Sequence, residues 1–444
     1  MNVQRQSAVA AVVLLVAVAT SCRGAPAPSD AGATGRDGGD TQPVGDARGE
    51  RDAETAGRDV AEAGDAADPS CRSNGCLIGW KHLGTFSERQ IEPLLDDGVS
   101  IDNGYAVFEM RYMTDGREAL ATVTVPSGDQ RPSGGYHVVA NNHGTTGLND
   151  RCALAGEPTG VGLAGLFGAR GAIGVAPDYP GLGTPGWHPY LVARVEARAA
   201  LDALRATSNL AERLEVPVSG RYAMVGLSQG GHATLAAAAA QPDYAPELDV
   251  RAFAAAAPPS VWESHWRASV GTSGPHQVFQ AMLVFAWARH YGWSGPGLWT
   301  PDFRSRVDSI MRETCVFEPR SFENTMLPRI GRKPDAIFSE AFLSAYRSGD
   351  WGPYAAFDRW FERNRLDVFS QQAPVRIYQG SADQTVPRET TDELVDELKE
   401  GEVDIQYRVV QGGTHTDVAF GPVAQKQRRT EESVTWVLDR LASP

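Results

Sequence analysis

The chain has 444 residues, of which 42% are hydrophobic and 22% charged, and it carries a formal net charge of −14. This composition is typical of a globular protein with one large domain or two. The excess of acidic residues argues against a nucleic acid as the main partner, because binding phosphates requires a basic face.

The first 22 residues have the features of an export signal. Arg5 precedes an apolar segment at 8–19 that is too short to span a bilayer as a helix but has the length of a secretory signal. The segment ends in Ala-Thr-Ser-Cys, which resembles the lipobox of bacterial lipoproteins, where the cysteine is lipidated after cleavage. We therefore expect a signal peptide at 1–22 and a cell-envelope lipoprotein anchored through Cys22. A plain secretory signal, giving a secreted protein, is the alternative.

Residues 23–70 predict a disordered acidic linker. They contain eleven acidic residues, five arginines and no aromatic residue. Such a segment cannot bury enough apolar surface to offset the entropy lost on ordering. It would serve as a tether between the anchor and a folded domain at 71–444.

The cysteines other than Cys22 predict disulfides. They are even in number, and in an exported chain an even set allows three pairings. Cys71 and Cys76 bracket the turn-forming Arg-Ser-Asn-Gly, which favours a local bridge and leaves Cys152 with Cys315. No metal site is expected, because structural zinc usually needs a second close pair.

From residue 105 onward, strand-like and helix-like segments alternate. This pattern predicts an α/β fold, with a mostly parallel central sheet covered by helices on both faces and opened by an antiparallel hairpin. The predicted strands are 105–113, 119–125, 136–140, 172–176, 222–226, 250–257, 375–378 and 405–410, and the predicted helices 189–207, 231–240, 389–399 and 431–441.

An insertion at 258–370 separates two of these strands. It contains seven of the ten tryptophans of the chain and few strand signals. Ordinary helix packing is one interpretation of so many aromatic residues. A helical lid that lines an apolar pocket is the other.

Ser228 is the candidate nucleophile. The pattern Gly-Leu-Ser-Gln-Gly at 226–230 also occurs by chance in glycine-rich bends, so the motif alone does not decide. Here it follows a predicted strand and precedes a predicted helix, the context of a nucleophile elbow. The glycines allow strand and helix to approach closely around a strained turn.

Asp383 and His415 are the predicted partners of Ser228. A serine hydroxyl needs a base, and the base needs a carboxylate to fix its tautomer. Each of the two residues follows a later strand, in the order that this elbow requires. Asp417 is an alternative carboxylate, and Asp178 is either a further carboxylate of the site or a turn residue. The histidines expected to be structural or exposed are 82, 137, 188, 232, 265, 276 and 290.

Backbone amides should stabilise the oxyanion that acyl transfer forms. One is the amide of Gln229, directly after the nucleophile, and the other comes from the loop at 143–147. We expect Thr145 to supply it, with Gly144 as the second choice; a glycine-rich turn without a catalytic role is the alternative.

Five segments in order resemble an α/β-hydrolase, and within that superfamily the secretory-lipase (LIP-type) family and its bacterial esterase and lipase relatives. The resemblance implies an α/β-hydrolase fold with a lid at 258–370, and a lipase or carboxylesterase with Ser228 as nucleophile, His415 as general base and Asp383 as orienting acid. It implies a small-molecule ester or lipid substrate, with no cofactor. The alternatives are a peptidase or amidase, and a catalytically silent binding protein on this scaffold. The segments are HGTTGLNDRC (143–152), APDYPGLGTPGWHPYL (176–191), GLSQGGHA (226–233), QGSADQTVP (379–387) and GGTH (412–415).

Overall fold

The computed structural model of the protein describes most of the region after the predicted linker. The signal peptide at 1–22, with Cys22, and the linker up to residue 69 lie outside the described residues, so those predictions stay as they are. The described ranges are 70–92, 100–128, 131–156, 162–260, 262–270, 272–316, 325–366, 369–418 and 427–443.

The described chain forms one nine-stranded sheet, in the order β1-β2-β3-β5-β4-β6-β7-β8-β9. β1 to β3 pair antiparallel, as do β3 and β5, whereas the strands from β5 through β4 to β9 are parallel. The predicted α/β fold with a mostly parallel sheet is therefore confirmed. The strands are β1 (Leu77–Phe86), β2 (Tyr105–Thr114), β3 (Arg117–Pro126), β4 (Tyr136–Asn142), β5 (Ile173–Pro177), β6 (Val218–Leu227), β7 (Asp249–Ala256), β8 (Gln371–Gly380) and β9 (Val403–Val410).

Strand β1 was missed by the sequence reasoning. Its sequence, LIGWKHLGTF, shows no clean alternation of apolar and polar residues. The pairing with β2 shifts register between Leu77 and Gly79 and again between His82 and Gly84, which breaks the period-two pattern.

Helices cover both faces of the sheet. Met224 in β6 points to a core shared with α3 and α4, while its neighbours Ala223 and Val225 point to a second core shared with α2 and α14. This alternation is what a strand buried on both faces produces. The helices are α1 (Glu88–Ile91), α2 (Gly162–Ala169), α3 (Ala193–Arg213), α4 (Gln229–Tyr244), α5 (Trp262–Val270), α6 (Gln277–His290), α7 (Pro301–Arg304), α8 (Val307–Glu313), α9 (Met326–Ile330), α10 (Pro334–Ile337), α11 (Glu340–Ser348), α12 (Ala355–Arg363), α13 (Arg388–Leu398) and α14 (Gln427–Ala442).

The insertion between β7 and β8 is helical and has a hydrophobic core of its own. Trp287, Trp351 and Trp360 are buried in that core, and Trp293 and Trp299 pack against it half-buried. The rings contact one another, for example Trp293 and Tyr354 at 5.8 Å between centroids. Of the two interpretations of the aromatic residues, helix packing therefore describes these five tryptophans.

Two disulfides join the expected cysteines. Cys71 pairs with Cys76, and Cys152 pairs with Cys315, with Cα–Cα distances of 5.8 Å and 5.4 Å. The second bridge joins the segment after β4 to the helical insertion. In the part of the chain that the structure describes, no helix is long and apolar enough to cross a membrane.

Candidate active site

Ser228 lies in a strained turn between β6 and α4. Its backbone has φ 59° and ψ −120°, a conformation that non-glycine residues rarely adopt. The Ser228 amide donates to the Ala256 carbonyl of β7 at 2.8 Å, and the Ser228 carbonyl accepts the His232 amide at 3.0 Å. The side chain is half-buried at the carboxyl edge of the sheet. This geometry is that of a nucleophile elbow.

The flanking glycines are required by close backbone packing. A Cβ on Gly226 would overlap the Gly230 carbonyl, and a Cβ on Gly230 would overlap the Asn142 carbonyl of β4. Strand, helix and the neighbouring strand therefore approach more closely than any side chain permits. The spacing of the motif thus has a steric cause in this chain.

Asp383 and His415 are in direct contact. His415 Nδ1 lies 2.8 Å from Asp383 Oδ2, with the carboxylate fully buried and the imidazole 17% exposed. An ionised carboxylate only accepts hydrogen bonds, so Nδ1 carries the proton and Nε2 of the neutral ring is left as the acceptor. That is the tautomer a general base requires.

Backbone amides hold the Asp383 carboxylate in place. Its Oδ1 accepts from the amides of Thr385 at 2.8 Å and Val386 at 3.0 Å, and its Oδ2 also accepts from Gln379 Nε2 at 3.2 Å. Thr385 and Val386 line the same pocket as Ser228. The loop that carries Asp383 and the turn that carries Ser228 thus border one pocket.

Asp417, the alternative carboxylate, has a different role. Its Oδ2 accepts the Thr414 amide at 2.9 Å and also contacts the Thr414 hydroxyl. It therefore stabilises the turn that presents His415, while Asp383 occupies the Nδ1 position of that ring.

The loop after β4 runs beside Ser228. A Cβ built on Gly144 would lie 4.0 Å from the Ser228 Cβ. Thr145 Oγ1 is 2.8 Å from the Tyr190 hydroxyl, and the Thr146 carbonyl accepts the Val316 amide at 2.7 Å. The Gln229 amide belongs to the first turn of α4, where amides have no intrahelical partner. Both predicted amide segments therefore flank the candidate nucleophile.

Asp178 and His143 fix this loop at its two ends. The buried Asp178 carboxylate accepts the Leu154 amide at 3.0 Å and the Ala155 amide at 2.7 Å, and it lies 3.1 Å from His143 Nε2. His143 Nδ1 donates to the Gly144 carbonyl at 2.7 Å. Asp178 is therefore neither a plain turn residue nor a member of the Asp–His pair.

The pocket beside Ser228 is small, with a cavity volume of about 40 Å³. Its apolar walls come from Leu191 and from Phe279 and Leu283 of α6. Nitrogen donors of two further lining residues bind elsewhere, since His276 Nε2 donates to the Ser269 carbonyl at 3.0 Å and Gln280 Nε2 donates to the Ser269 hydroxyl. The pocket thus presents mainly apolar surface to a ligand.

His265 of α5 also lines the pocket, although the sequence reasoning expected a structural or exposed residue. Burial lowers the pKa of His265 to about 4, against a weaker opposing effect of the Asp383 carboxylate. The ring is therefore neutral at neutral pH. A lone histidine in Trp-Glu-Ser-His-Trp offers no sequence signal for this position.

The described residues contain no group of three or more histidine, cysteine or acidic side chains arranged to hold a metal ion. The candidate site brings a serine, an imidazole, a carboxylate and backbone amides to one edge of the sheet, and these are the group types that nucleophilic acyl transfer uses.

The fold is that of an α/β-hydrolase. The rice cell wall degrading esterase LipA from Xanthomonas oryzae superposes with a TM-score of 0.69 at 22% identity, covering 83% of this chain and 98% of that one. Candida antarctica lipase A in its closed state superposes with a TM-score of 0.58 at 16% identity, covering 78% and 79%. Identities this low establish the fold alone.

The family comparison is more specific. The model of the secretory lipase family matches residues 164–262, which include the elbow. The resemblance predicted from the sequence is thus confirmed, and the match supports an ester hydrolase. No curated protein matches the chain.

Proposed function

We propose that the protein is a carboxylic ester hydrolase that works through an acyl-enzyme on Ser228. The observation that carries this proposal is the Asp383–His415 hydrogen bond of 2.8 Å at the same edge of the sheet as a serine in an elbow conformation. The secretory-lipase match over 164–262 supports the same reaction class. An apolar pocket next to Ser228 favours an ester with an apolar acyl group.

The proposed reaction has two halves. His415 Nε2 takes the Ser228 proton as the hydroxyl oxygen attacks the ester carbonyl, and the amides of Gln229 and Thr145 (or Gly144) stabilise the oxyanion. His415 then protonates the departing alcohol. Water repeats the sequence on the acyl-enzyme and releases the acid, while Asp383 stays ionised throughout and stabilises the imidazolium.

The helical insertion is proposed as the lid over this site. This is supported by His265, Phe279 and Leu283 of α5 and α6, which line the same pocket as Ser228. Phe279 and Leu283 would shorten the acyl pocket and so limit the length of the substrate's acyl chain. Phe279→Ala should therefore raise turnover of long acyl esters relative to short ones.

The test is a panel of p-nitrophenyl esters of increasing acyl length, with a peptide p-nitroanilide as the amide control. We expect ester turnover in the wild-type protein and its loss in Ser228→Ala. Preferential cleavage of the anilide would identify a peptidase or amidase. A folded wild-type protein without turnover of any substrate would favour a silent binding protein.

We also propose that the protein is exported and held at the cell envelope through a lipidated Cys22. Two disulfides support export, because they persist in oxidising compartments. Mass spectrometry of membrane-extracted protein should find a lipid adduct on Cys22. A mature form without the adduct, recovered from the medium, would contradict the anchor.

A further inference from the structure

Glu196 is a fully buried carboxylate in the first turn of α3. Its Oε1 accepts the Leu191 amide at 2.9 Å and Gln229 Nε2 at 2.7 Å. Its Oε2 lies 2.6 Å from His232 Nδ1, which donates to it. Burying a carboxylate costs free energy unless hydrogen-bond donors surround it, so these three contacts offset the cost of burying Glu196.

The three donors have one feature in common, which is their position around Ser228. Gln229 follows the candidate nucleophile, and its backbone amide is a proposed oxyanion donor. His232 lies one turn along α4, and its amide donates to the Ser228 carbonyl. Glu196 therefore joins α3 to the first turn of the elbow helix.

Leu191 extends the same contact to the pocket. Its φ of 55° lies in the left-handed region, which a branched side chain rarely adopts. The Glu196 carboxylate holds the Leu191 amide, and the Leu191 side chain lines the pocket beside Ser228. The same oxygen atom thus binds both the elbow side chain and the pocket wall.

His188 completes the arrangement around Gln229. Gln229 Nε2 also lies 2.6 Å from His188 Nε2, and burial lowers the pKa of His188 well below its usual range. The neutral ring accepts a hydrogen bond from the amide group at this nitrogen. Gln229 is therefore held from two directions by buried groups.

We propose that Glu196 is a positioning residue that fixes both the oxyanion amide at Gln229 and the acyl-pocket wall at Leu191. The proposal rests on the proposed ester hydrolysis at Ser228. It implies that loss of the carboxylate oxygens lowers kcat, because the oxyanion donor becomes misaligned. It also implies a changed preference for acyl length, because Leu191 is released from its strained conformation.

The experiment compares Glu196→Ala and Glu196→Gln with a matched control, Asp202→Ala. Asp202 is a buried carboxylate on the same helix, bound by Arg205 at 2.7 Å and by the Tyr244 hydroxyl at 2.9 Å, away from the site. Glu196→Gln retains an oxygen for Leu191 and Gln229, so its kcat should stay within about threefold of wild type. Glu196→Ala should lose about 10- to 100-fold in kcat, in the range of a misplaced catalytic group.

The control separates positioning from stability. Acyl preference is measured as the ratio of kcat/KM on p-nitrophenyl butanoate to kcat/KM on p-nitrophenyl decanoate. Asp202→Ala should lower the melting temperature like Glu196→Ala, but it should leave kcat and this ratio within about twofold of wild type. If Glu196→Ala does not fold, Gln229→Ala tests the elbow contact alone, because it keeps the backbone amide, and it should lower kcat without changing that ratio.

A folded Glu196→Ala with wild-type kcat and acyl preference would overturn the inference, as would an equal loss of kcat in Asp202→Ala. Wild-type protein and Ser228→Ala are assayed in parallel. If the ester hydrolysis proposal fails, the wild-type protein shows no turnover or Ser228→Ala retains it. If only the Glu196 proposal fails, both of these proteins behave as expected and the Glu196 variants do not.

Discussion

Replacing Cys152 and Cys315 together by alanine should affect both stability and turnover. The bridge is buried, and it joins the loop beside Ser228 to the helical insertion. Next to it, the Val316 amide donates to the Thr146 carbonyl at 2.7 Å, and Gly147 pairs with Cys315 as an isolated β-bridge. Loss of the disulfide removes the covalent restraint on a segment that carries a proposed oxyanion donor.

The size of the stability effect follows from the length of chain that the bridge closes. The two cysteines are 163 residues apart, for which the chain-entropy relation gives about 5 kcal/mol at 25 °C. Measured losses for native disulfides are typically about 2–5 kcal/mol. The bridge between Cys71 and Cys76 closes only 5 residues, for which the same relation gives about 2 kcal/mol.

The assay is urea unfolding of both double variants, together with kcat and KM on one acyl ester. Cys152→Ala/Cys315→Ala should lose more free energy of unfolding than Cys71→Ala/Cys76→Ala. It should also lose kcat, with a smaller change in KM, because the Thr145 amide is misplaced. Equal kcat in the two folded variants would refute the reasoning that the long-range bridge holds the oxyanion loop.

Two further predictions concern the histidines of the site. Asp383→Asn keeps an acceptor for the Thr385 amide but presents an amide group to His415 Nδ1, so the ring takes the wrong tautomer. The kcat should fall by about 10³- to 10⁴-fold with little change in melting temperature. A loss of kcat under tenfold would contradict the pairing of Asp383 with His415. In the folded protein the pKa of His265 is lowered to about 4, whereas in the unfolded chain it is about 6.5. Between these two values the unfolded chain binds a proton that the folded protein does not, so the free energy of unfolding falls as the pH drops from about 6.5 to about 4. In His265→Gln this fall, measured by urea unfolding, should be smaller by about 1.4 kcal/mol per pH unit in that window, and identical pH dependence in both proteins would contradict a buried neutral ring.

The elements that carry local signals could be predicted from the sequence. The elbow at Ser228 follows an apolar strand and precedes a small-residue helix, and Asp383 and His415 each come directly after a strand, so short windows of sequence contain the information. The parallel order of these strands then brings the three loops to one edge of the sheet.

The contacts that could not be predicted join residues far apart in the chain. Glu196 lies in the first turn of an alanine-rich helix, and nothing in its sequence neighbourhood indicates that Gln229 and His232 would contact it. Asp178 reads as a turn residue in Asp-Tyr-Pro-Gly because its contact with His143 depends on how two loops meet. Tertiary packing decides such positions, and a single sequence does not record it.

The tryptophans of the insertion are conspicuous in the sequence, but the structure gives the five whose side chains it describes a packing role. Their number in the insertion is compatible with a lid that lines an apolar pocket, but a helical insertion of this size also needs a core of its own. The pocket is lined instead by Leu191, Phe279 and Leu283, which are ordinary apolar residues in the sequence. The proposed acyl pocket is therefore built from residues that composition does not single out.

Covalent labelling decides whether Ser228 is the nucleophile of an ester hydrolase. The full chain is treated with a fluorophosphonate and examined by intact and peptide mass spectrometry, with ester turnover followed in parallel. We predict one adduct per chain, located on Ser228, with loss of turnover in proportion to labelling and no adduct in Ser228→Ala. Labelling at another residue, or ester turnover that survives in Ser228→Ala, would show that Ser228 is not the nucleophile.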